Sequence, residues 1–151
     1  MRFSLRPLVL LLLLGATVAS AAEMPAATEP TPVTVEYYYR IKWGSAEEFK
    51  RLYAKNHAPL LDEMKKLGFV RSVRADEPFT HMAGGPRWDL RITISFRDAA
   101  AAISDPDWDK RWEEAKARLY ADRKAFDAEE QARFALLEEH WDVVVNEVHP
   151  K

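Results

Sequence analysis

Residues 88–96 alternate strictly between apolar and polar side chains, and this alternation restricts the fold more than any other feature of the sequence. Because successive side chains of a strand point to opposite faces, such a segment buries one face and leaves the other open. Residues 33–43 alternate in the same way and are rich in β-branched and aromatic residues. Both segments are predicted strands of a sheet that is covered on one side. The uncovered side is expected to carry Tyr38, Arg40, Asp89, Arg91, Thr93 and Ser95.

The first strand is followed by a segment with helix start and stop signals. The sequence Ser45-Ala46-Glu47-Glu48 has the spacing of a capping box, in which the serine and the last glutamate bond each other's backbone amides. Gly68 is the expected stop of a helix that runs toward Leu67. Pro59 lies inside this helix and lacks a backbone N–H, so we expect a kink or a split near residues 56–57.

A second helical region begins with residues 98–103. Asp105 is a predicted cap, and Pro106 suits the first position of a long helix that should end before Asp127. A further helix is predicted over about residues 128–139. This part of the chain is therefore longer than a pattern with one helix in each half requires.

Two more strands complete the pattern, a short one over residues 69–75 and a last one over residues 141–148. The order of strands and helices predicts an α+β fold of the ferredoxin-like βαββαβ type, with a four-stranded antiparallel sheet and helices on one face. The apolar face of each strand is expected to pack on those helices. In the last strand this face would consist of Trp141, Val143 and Val145.

The N-terminus predicts export. Arg2 and Arg6 precede an apolar run over residues 7–14, and small residues continue to Ala22, which is the order of a secretory signal peptide. We therefore assign residues 1–22 to a signal that is cleaved after Ala21 or Ala22. Residues 23–32, rich in Pro, Ala, Glu and Thr, are a predicted flexible linker, and residues 33–151 the folded domain. The apolar run is shorter than the roughly 20 residues that span a bilayer, so stable membrane insertion is not expected.

Composition narrows the compartment and the chemistry. The chain has no cysteine, so disulfides and thiolate metal sites are excluded. An exported chain without disulfides favours a periplasmic location, although secretion beyond it stays open. Its 22 basic and 24 acidic residues do not indicate nucleic-acid binding. The sequence contains no glycine-rich phosphate loop and no histidine pair at metal-ligand spacing, so we predict no cofactor and no metal.

Three segments of the first half carry a resemblance to a known group. They are Val35-Glu36-Tyr37-Tyr38-Tyr39-Arg40, Glu47-Glu48-Phe49 and Asn56-His57-Ala58-Pro59-Leu60. With the predicted topology, they make the chain similar to the dimeric α/β-barrel group of ferredoxin-like proteins, which includes EthD-like and NIPSNAP-like families. The resemblance implies a homodimer whose two sheets close a barrel around a pocket. Members of this group perform several unrelated reactions or none known, so no single reaction is implied.

His57 is the candidate catalytic residue. The resemblance places the histidine of this pattern near the pocket, and an imidazole can act as acid or base near neutral pH. The alternative is a partly buried histidine that bonds a backbone carbonyl at the helix kink.

Tyr38, Arg40, Asp89 and Arg91 are the candidate ligand-binding residues. They are expected on one sheet face, where the two arginines could converge on an anionic ligand. The alternative is that the charged members form cross-strand ion pairs on an exposed or dimer-facing sheet.

Two functions follow from these expectations. The first is an exported homodimer that encloses a pocket for a small organic molecule, with cofactor-independent acid–base or oxygenase-type chemistry. The second is a noncatalytic periplasmic protein that holds a ligand or an interaction partner. The sequence leaves open whether the protein is an enzyme.

Overall fold

The computed structural model describes residues 29–146. The predicted signal peptide, most of the predicted linker and residues 147–151 lie outside the described residues. Four strands form one antiparallel sheet in the order β2-β3-β1-β4. Within the described part of the chain, no helix is both long and apolar enough to cross a membrane. The strands are β1 (Val33–Ile41), β2 (Val70–Asp76), β3 (Leu90–Phe96) and β4 (Leu137–Val145).

Helical segments fill the connections after β1 and after β3. This βαββαβ sequence and the strand order are those of a ferredoxin-like fold, as predicted. The sheet is open, with β2 and β4 at its edges, so a single chain does not form a barrel. The helices are α1 (Ala46–Leu52), a π-helical turn (Tyr53–His57), α2 (Ala58–Lys66), α3 (Ala99–Ile103), α4 (Pro106–Leu119) and α5 (Arg123–Ala135).

The predicted faces of β1 and β3 are confirmed. Residues paired across antiparallel strands share a face, and Tyr38 is paired with Arg91 on the open side. The opposite face packs under the helices and supplies the main core. Its buried strand residues are Val35, Tyr39, Ile41, Leu90, Ile92, Ile94 and Phe96.

Pro59 interrupts the first helix where the sequence predicts. The backbone N–H of Ala58 donates to the carbonyl of Tyr53, five residues earlier, which closes the π-helical turn. The α-helix then resumes with Pro59 in its first turn, where a missing N–H leaves no bond unmade. The split is therefore absorbed within a continuous helical rod.

The predicted capping box at Ser45 is wrong. Its side chain makes no capping bond, because its backbone (φ −106°, ψ 1°) lies outside the extended region that a capping side chain needs. Gly44 sets this turn with a φ of +80°. The Glu48 carboxylate instead accepts two hydrogen bonds from Arg51, at 2.8 and 2.7 Å.

The second helical region is divided differently from the prediction. Asp105 caps α4 as expected, accepting a hydrogen bond from the Asp107 N–H. The long helix ends at Leu119, however, and α5 starts after Asp122, whose carboxylate accepts from the Ala125 N–H. The predicted helix to Asp127 was wrong because Tyr120 takes an extended conformation, in which its hydroxyl donates to backbone carbonyls of the π-helical turn.

The face predicted for the last strand is also wrong. β4 begins at Leu137, where a helix was predicted, and pairs Trp141 with Tyr38 and Val143 with Glu36. Trp141, Val143 and Val145 therefore lie on the open face. The residues between them are Asp142 and Val144, so apolar side chains occur in both phases of the alternation. The register with β1 decided between the two phases.

Candidate functional site

A cavity of about 250 Å³ lies between the sheet and the helices. Strand β1 supplies two tyrosines to its floor, and α4 supplies two tryptophans one turn apart to its roof. Polar groups come from the π-helical turn, from α5 and from β4. The lining consists of Tyr37, Tyr39, Tyr53, His57, Leu61, Ile94, Phe96, Trp108, Trp112, Arg133, Phe134 and His140.

His57 is placed in the cavity wall by the π-helical turn. Its ring lies between Tyr53 and Trp112, at centroid distances of 5.1 and 5.3 Å. Its Nδ1 is 3.8 Å from a carboxylate oxygen of Glu130. Within residues 29–146, its polar contact is with this carboxylate and not with a backbone carbonyl at the kink. This distance is too long for a hydrogen bond, so the carboxylate acts on the imidazole through its charge.

Glu130 is held ionised. Burial raises the pKa of this carboxyl, but the side-chain contacts from His57 and Arg133 outweigh burial and lower the pKa to about 2. Nε and Nη2 of Arg133 donate to its two oxygens at 3.0 and 2.7 Å. The carboxylate therefore carries a full negative charge beside the imidazole at neutral pH.

Arg133 is the most deeply buried charged group of the site, with 1% of its surface exposed. Its guanidinium carbon lies 4.4 Å from the ring centroid of Phe134 and 5.6 Å from that of Tyr53. Ion pairing with Glu130 and contact with aromatic faces both offset the cost of burying this cation.

His140 is a second cavity histidine, which the sequence pattern did not select. Its Nδ1 is 2.9 Å from the carbonyl oxygen of Tyr38. A carbonyl can only accept, so Nδ1 carries the proton and Nε2 of the neutral ring is an acceptor. The ring stacks on Tyr39 at 4.4 Å. No local signal places His140 beside Tyr39, because that contact depends on the register of β4 with β1.

Two of the cavity tyrosines are nearly inaccessible. Tyr39 and Tyr53 have 5% and 7% of their surfaces exposed. Burial raises the pKa of Tyr39 to about 12 and raises the pKa of Tyr53 as well. Both hydroxyls are therefore protonated at neutral pH and able to donate hydrogen bonds.

Tyr38 and Arg91 share the open face, as predicted, and the structure pairs them side by side. Each already has protein partners. Nη1 and Nη2 of Arg91 lie 3.4 Å from Glu36 and 3.2 Å from Asp76. The Tyr38 hydroxyl donates to the same Glu36. These contacts match the ion-pair interpretation of this face.

Arg40 and Asp89 lie at one end of the sheet and do not pair with Arg91. Nε of Arg40 donates to the carbonyl of Arg87 at 3.1 Å, and Nη1 is 3.1 Å from Glu139. Asp89 accepts from the backbone N–H of Ile41 at 2.7 Å and from the Arg87 guanidinium. Arg87, which is 6% exposed, is the buried partner that sequence reasoning missed.

The predicted site residues therefore fall on two sides of the sheet. His57 lines the cavity on the helix side, whereas Tyr38, Arg40 and Arg91 belong to the open side. One pocket within a single chain cannot gather all of them. Among residues 29–146, no cluster of three or more His, Asp or Glu side chains could hold a metal ion.

No protein-family model matches the chain, and a search of curated proteins finds no match. Solved structures of similar fold include a NIPSNAP family protein from Agrobacterium tumefaciens, with 15% identity and a TM-score of 0.46, covering 78% of this chain and 94% of that chain. An EthD family protein from Bacillus halodurans has 13% identity and a TM-score of 0.45, covering 78% and 100%. A dimeric ferredoxin-like protein of unknown function from Bacteroides fragilis has 12% identity and a TM-score of 0.42, covering 76% and 94%. These structures include both families that the sequence resembles, and the likeness is one of fold.

Proposed function

We propose that the cavity between the sheet and the helices binds a small aromatic or carbonyl compound, and that His57 exchanges a proton with it without a cofactor. The observation that carries this proposal is one polar corner in a mostly apolar cavity, where His57 lies beside the ionised Glu130. Concave, mostly apolar sites with a few convergent polar groups are typical of ligand pockets. The volume is slightly below the roughly 300–1,000 Å³ of pockets for drug-sized molecules, so the ligand is small.

The proposed proton transfer uses a histidine backed by a carboxylate. When Nε2 of His57 takes a proton from the ligand, the ring becomes an imidazolium, and the negative charge of Glu130 stabilises it. Glu130 acts here as a positioning residue, since Arg133 occupies both of its oxygens.

The fate of the deprotonated ligand separates two classes of reaction. A carbanion that is reprotonated at another carbon gives an isomer, whereas a carbanion that reacts with dioxygen gives an oxygenated product. Measuring oxygen consumption during turnover would distinguish the acid–base from the oxygenase-type alternative.

A noncatalytic ligand-holding protein is the second candidate. It is favoured by the lining itself, which offers no serine or lysine nucleophile, and by the engagement of Glu130 with Arg133. Binding without turnover, unchanged when His57 is replaced, would support this candidate over the first.

We also propose that a second copy covers the open face of the sheet, so that the two sheets close a barrel. Tyr38 and Trp141 stack there with 5.3 Å between ring centroids, and Val143 is 43% exposed. The same face carries Arg40, Arg74 and Arg91 together with Glu36, Asp76 and Glu139, which balance in sign. An apolar centre with balanced charge suits a self-complementary two-fold contact.

Export remains part of the proposal and rests on the sequence of residues 1–22. The intact mass of the protein recovered from a bacterial periplasm tests it. We expect a chain that starts at Ala22 or Glu23. A full-length chain retained in the cytoplasm would contradict export.

The central test begins with the protein purified from its own periplasm and analysed by mass spectrometry for a copurified small molecule. Binding of that molecule is then followed by tryptophan fluorescence, because Trp108 and Trp112 line the cavity. We expect His57→Gln to abolish turnover, while His81→Gln, a change in an exposed loop outside the cavity, leaves it intact. Equal turnover in both variants would remove His57 from the mechanism.

A further inference from the structure

The cavity contains hydrogen-bond donors that the protein leaves unused. Nε and Nη2 of Arg133 donate hydrogen bonds to Glu130. Its third nitrogen, Nη1, makes no hydrogen bond with any residue in the described range 29–146. The side chain lines the cavity and is 1% exposed overall. A molecule bound in the cavity can therefore accept a hydrogen bond from Nη1.

Two hydroxyls add to this set of donors. Tyr39 and Tyr53 line the cavity, are more than nine-tenths buried, and form no hydrogen bond through their hydroxyl groups within the described residues. Each hydroxyl can therefore donate a hydrogen bond to a molecule in the cavity. Arg133 lies 5.6 Å from the ring of Tyr53, which places the guanidinium and this tyrosine in one part of the cavity.

The carboxylate beside these donors is already engaged. Both oxygens of Glu130 receive hydrogen bonds from Arg133, so this carboxylate does not compete for the free donors. The remaining wall is mostly aromatic, and Trp108 and Trp112 stack there with 5.8 Å between ring centroids. A ligand that fits therefore combines a flat ring with a group that accepts several hydrogen bonds.

We propose that the cavity ligand is an aromatic carboxylate, whose oxygens are bound by Nη1 of Arg133 and by the hydroxyls of Tyr39 and Tyr53. This inference rests on the proposed function, since it names the class of molecule that the same cavity takes. A carboxylate meets a guanidinium with charge-assisted hydrogen bonds, which are stronger than those of a neutral carbonyl. The aromatic ring would lie against the tryptophans of α4.

The test compares ligands that differ only in the charged group. Tryptophan fluorescence and titration calorimetry on the mature protein would measure benzoate against benzamide, and 2-naphthoate against 2-naphthamide. We expect each carboxylate to bind about tenfold or more tightly than its amide, because hydrogen bonds with charged groups contribute roughly that factor.

Variants assign the preference to residues. Tyr39→Phe and Tyr53→Phe each remove one hydroxyl and keep the ring, and each is expected to weaken carboxylate binding more than amide binding. The paired change Arg133→Met with Glu130→Met removes the ion pair without leaving an unpaired charge and should erase the preference. Tyr120→Phe is the matched control, because that hydroxyl donates to backbone carbonyls outside the cavity.

The outcomes separate this inference from the proposed function. If amides bind as tightly as carboxylates, the cavity is a ligand site but the carboxylate assignment is wrong. If neither class binds, both proposals fail. A carboxylate preference that survives the paired Met change would also overturn the role of Arg133.

Discussion

The two sides of the sheet carry the same kinds of side chain but use them differently. On the open face, both terminal nitrogens of Arg91 face carboxylates, and the neighbouring Tyr38 hydroxyl donates to one of them. In the cavity, two nitrogens of Arg133 donate to the carboxylate of Glu130, and the third makes no hydrogen bond within the described residues. Arg91 also keeps a nitrogen without a partner, but this Nε is buried in the open face. What separates the two sides is the concave space beside Arg133, from which a ligand can reach a free donor.

The largest expected effect concerns the buried ion pair of the cavity. Glu130→Ala leaves Arg133 as an uncompensated cation and is expected to lower the free energy of unfolding by about 3–5 kcal/mol. Urea denaturation would measure the change. Glu114→Ala, which breaks an exposed pair with Arg111, should cost less than about 1 kcal/mol. Similar losses of stability in both variants would contradict the larger contribution expected of the buried Glu130–Arg133 pair.

Acid should weaken the same pair. The folded-state pKa of Glu130, about 2, lies below the usual 4.5, so its ionised form stabilises the folded protein above pH 4.5, and this contribution disappears as pH falls toward 2. A shift of this size corresponds to at most about 3 kcal/mol. Urea denaturation of the wild type and Glu130→Gln across this range should show their difference in stability shrinking. A difference independent of pH would contradict the depressed pKa.

The proposal that a second copy covers the open face is tested by measuring the oligomeric state of the protein. Val143→Asp places a charge in the proposed dimer contact and is expected to raise the dimer dissociation constant by about a hundredfold, since desolvating an unpaired charge costs roughly 3 kcal/mol. Val144→Asp is the matched control, because Val144 follows Val143 in the strand and its side chain points to the opposite face of the sheet. Analytical ultracentrifugation compares the two. A wild-type monomer at micromolar concentration would overturn the dimer.

The smallest expected effect is that of replacing Arg91 on the open face, which we compare with the loss of Arg133 from the cavity. Arg91→Met removes partly exposed ion pairs and should change stability by about 1 kcal/mol or less. Benzoate affinity, measured by fluorescence, should stay at the wild-type value, since this side chain lies across the sheet from the cavity. A loss of affinity as large as that of the Arg133 and Glu130 double variant would show that the ligand binds at the open face and not in the cavity.

Much of the fold was predictable because its signals are local. Strict alternation identified β1 and β3 and the face that each turns to the helices, and Pro59 marked the split in the first helix. The start of β4 was not predictable in this way. Its residues alternate with apolar side chains in both phases, and only the pairing of Tyr38 with Trp141 selects one.

The candidate site was predicted only in part. His57 was selected from its short motif, and the structure places it in the cavity wall. Arg133, Glu130 and His140 were not selected, because their sequence neighbours form ordinary helix and strand patterns. They become a cluster only when α5 packs over the π-helical turn and β4 pairs with β1.

By itself, the sequence determined the topology, the two faces of the central strands and the placement of Tyr38 and Arg91 on one of those faces. Periodicity and proline chemistry act over a few residues, so they can be read along the chain. The tertiary structure alone decided which face of the sheet encloses a cavity and which donors remain free inside it. Those properties depend on distances between elements far apart in sequence, which no local pattern records.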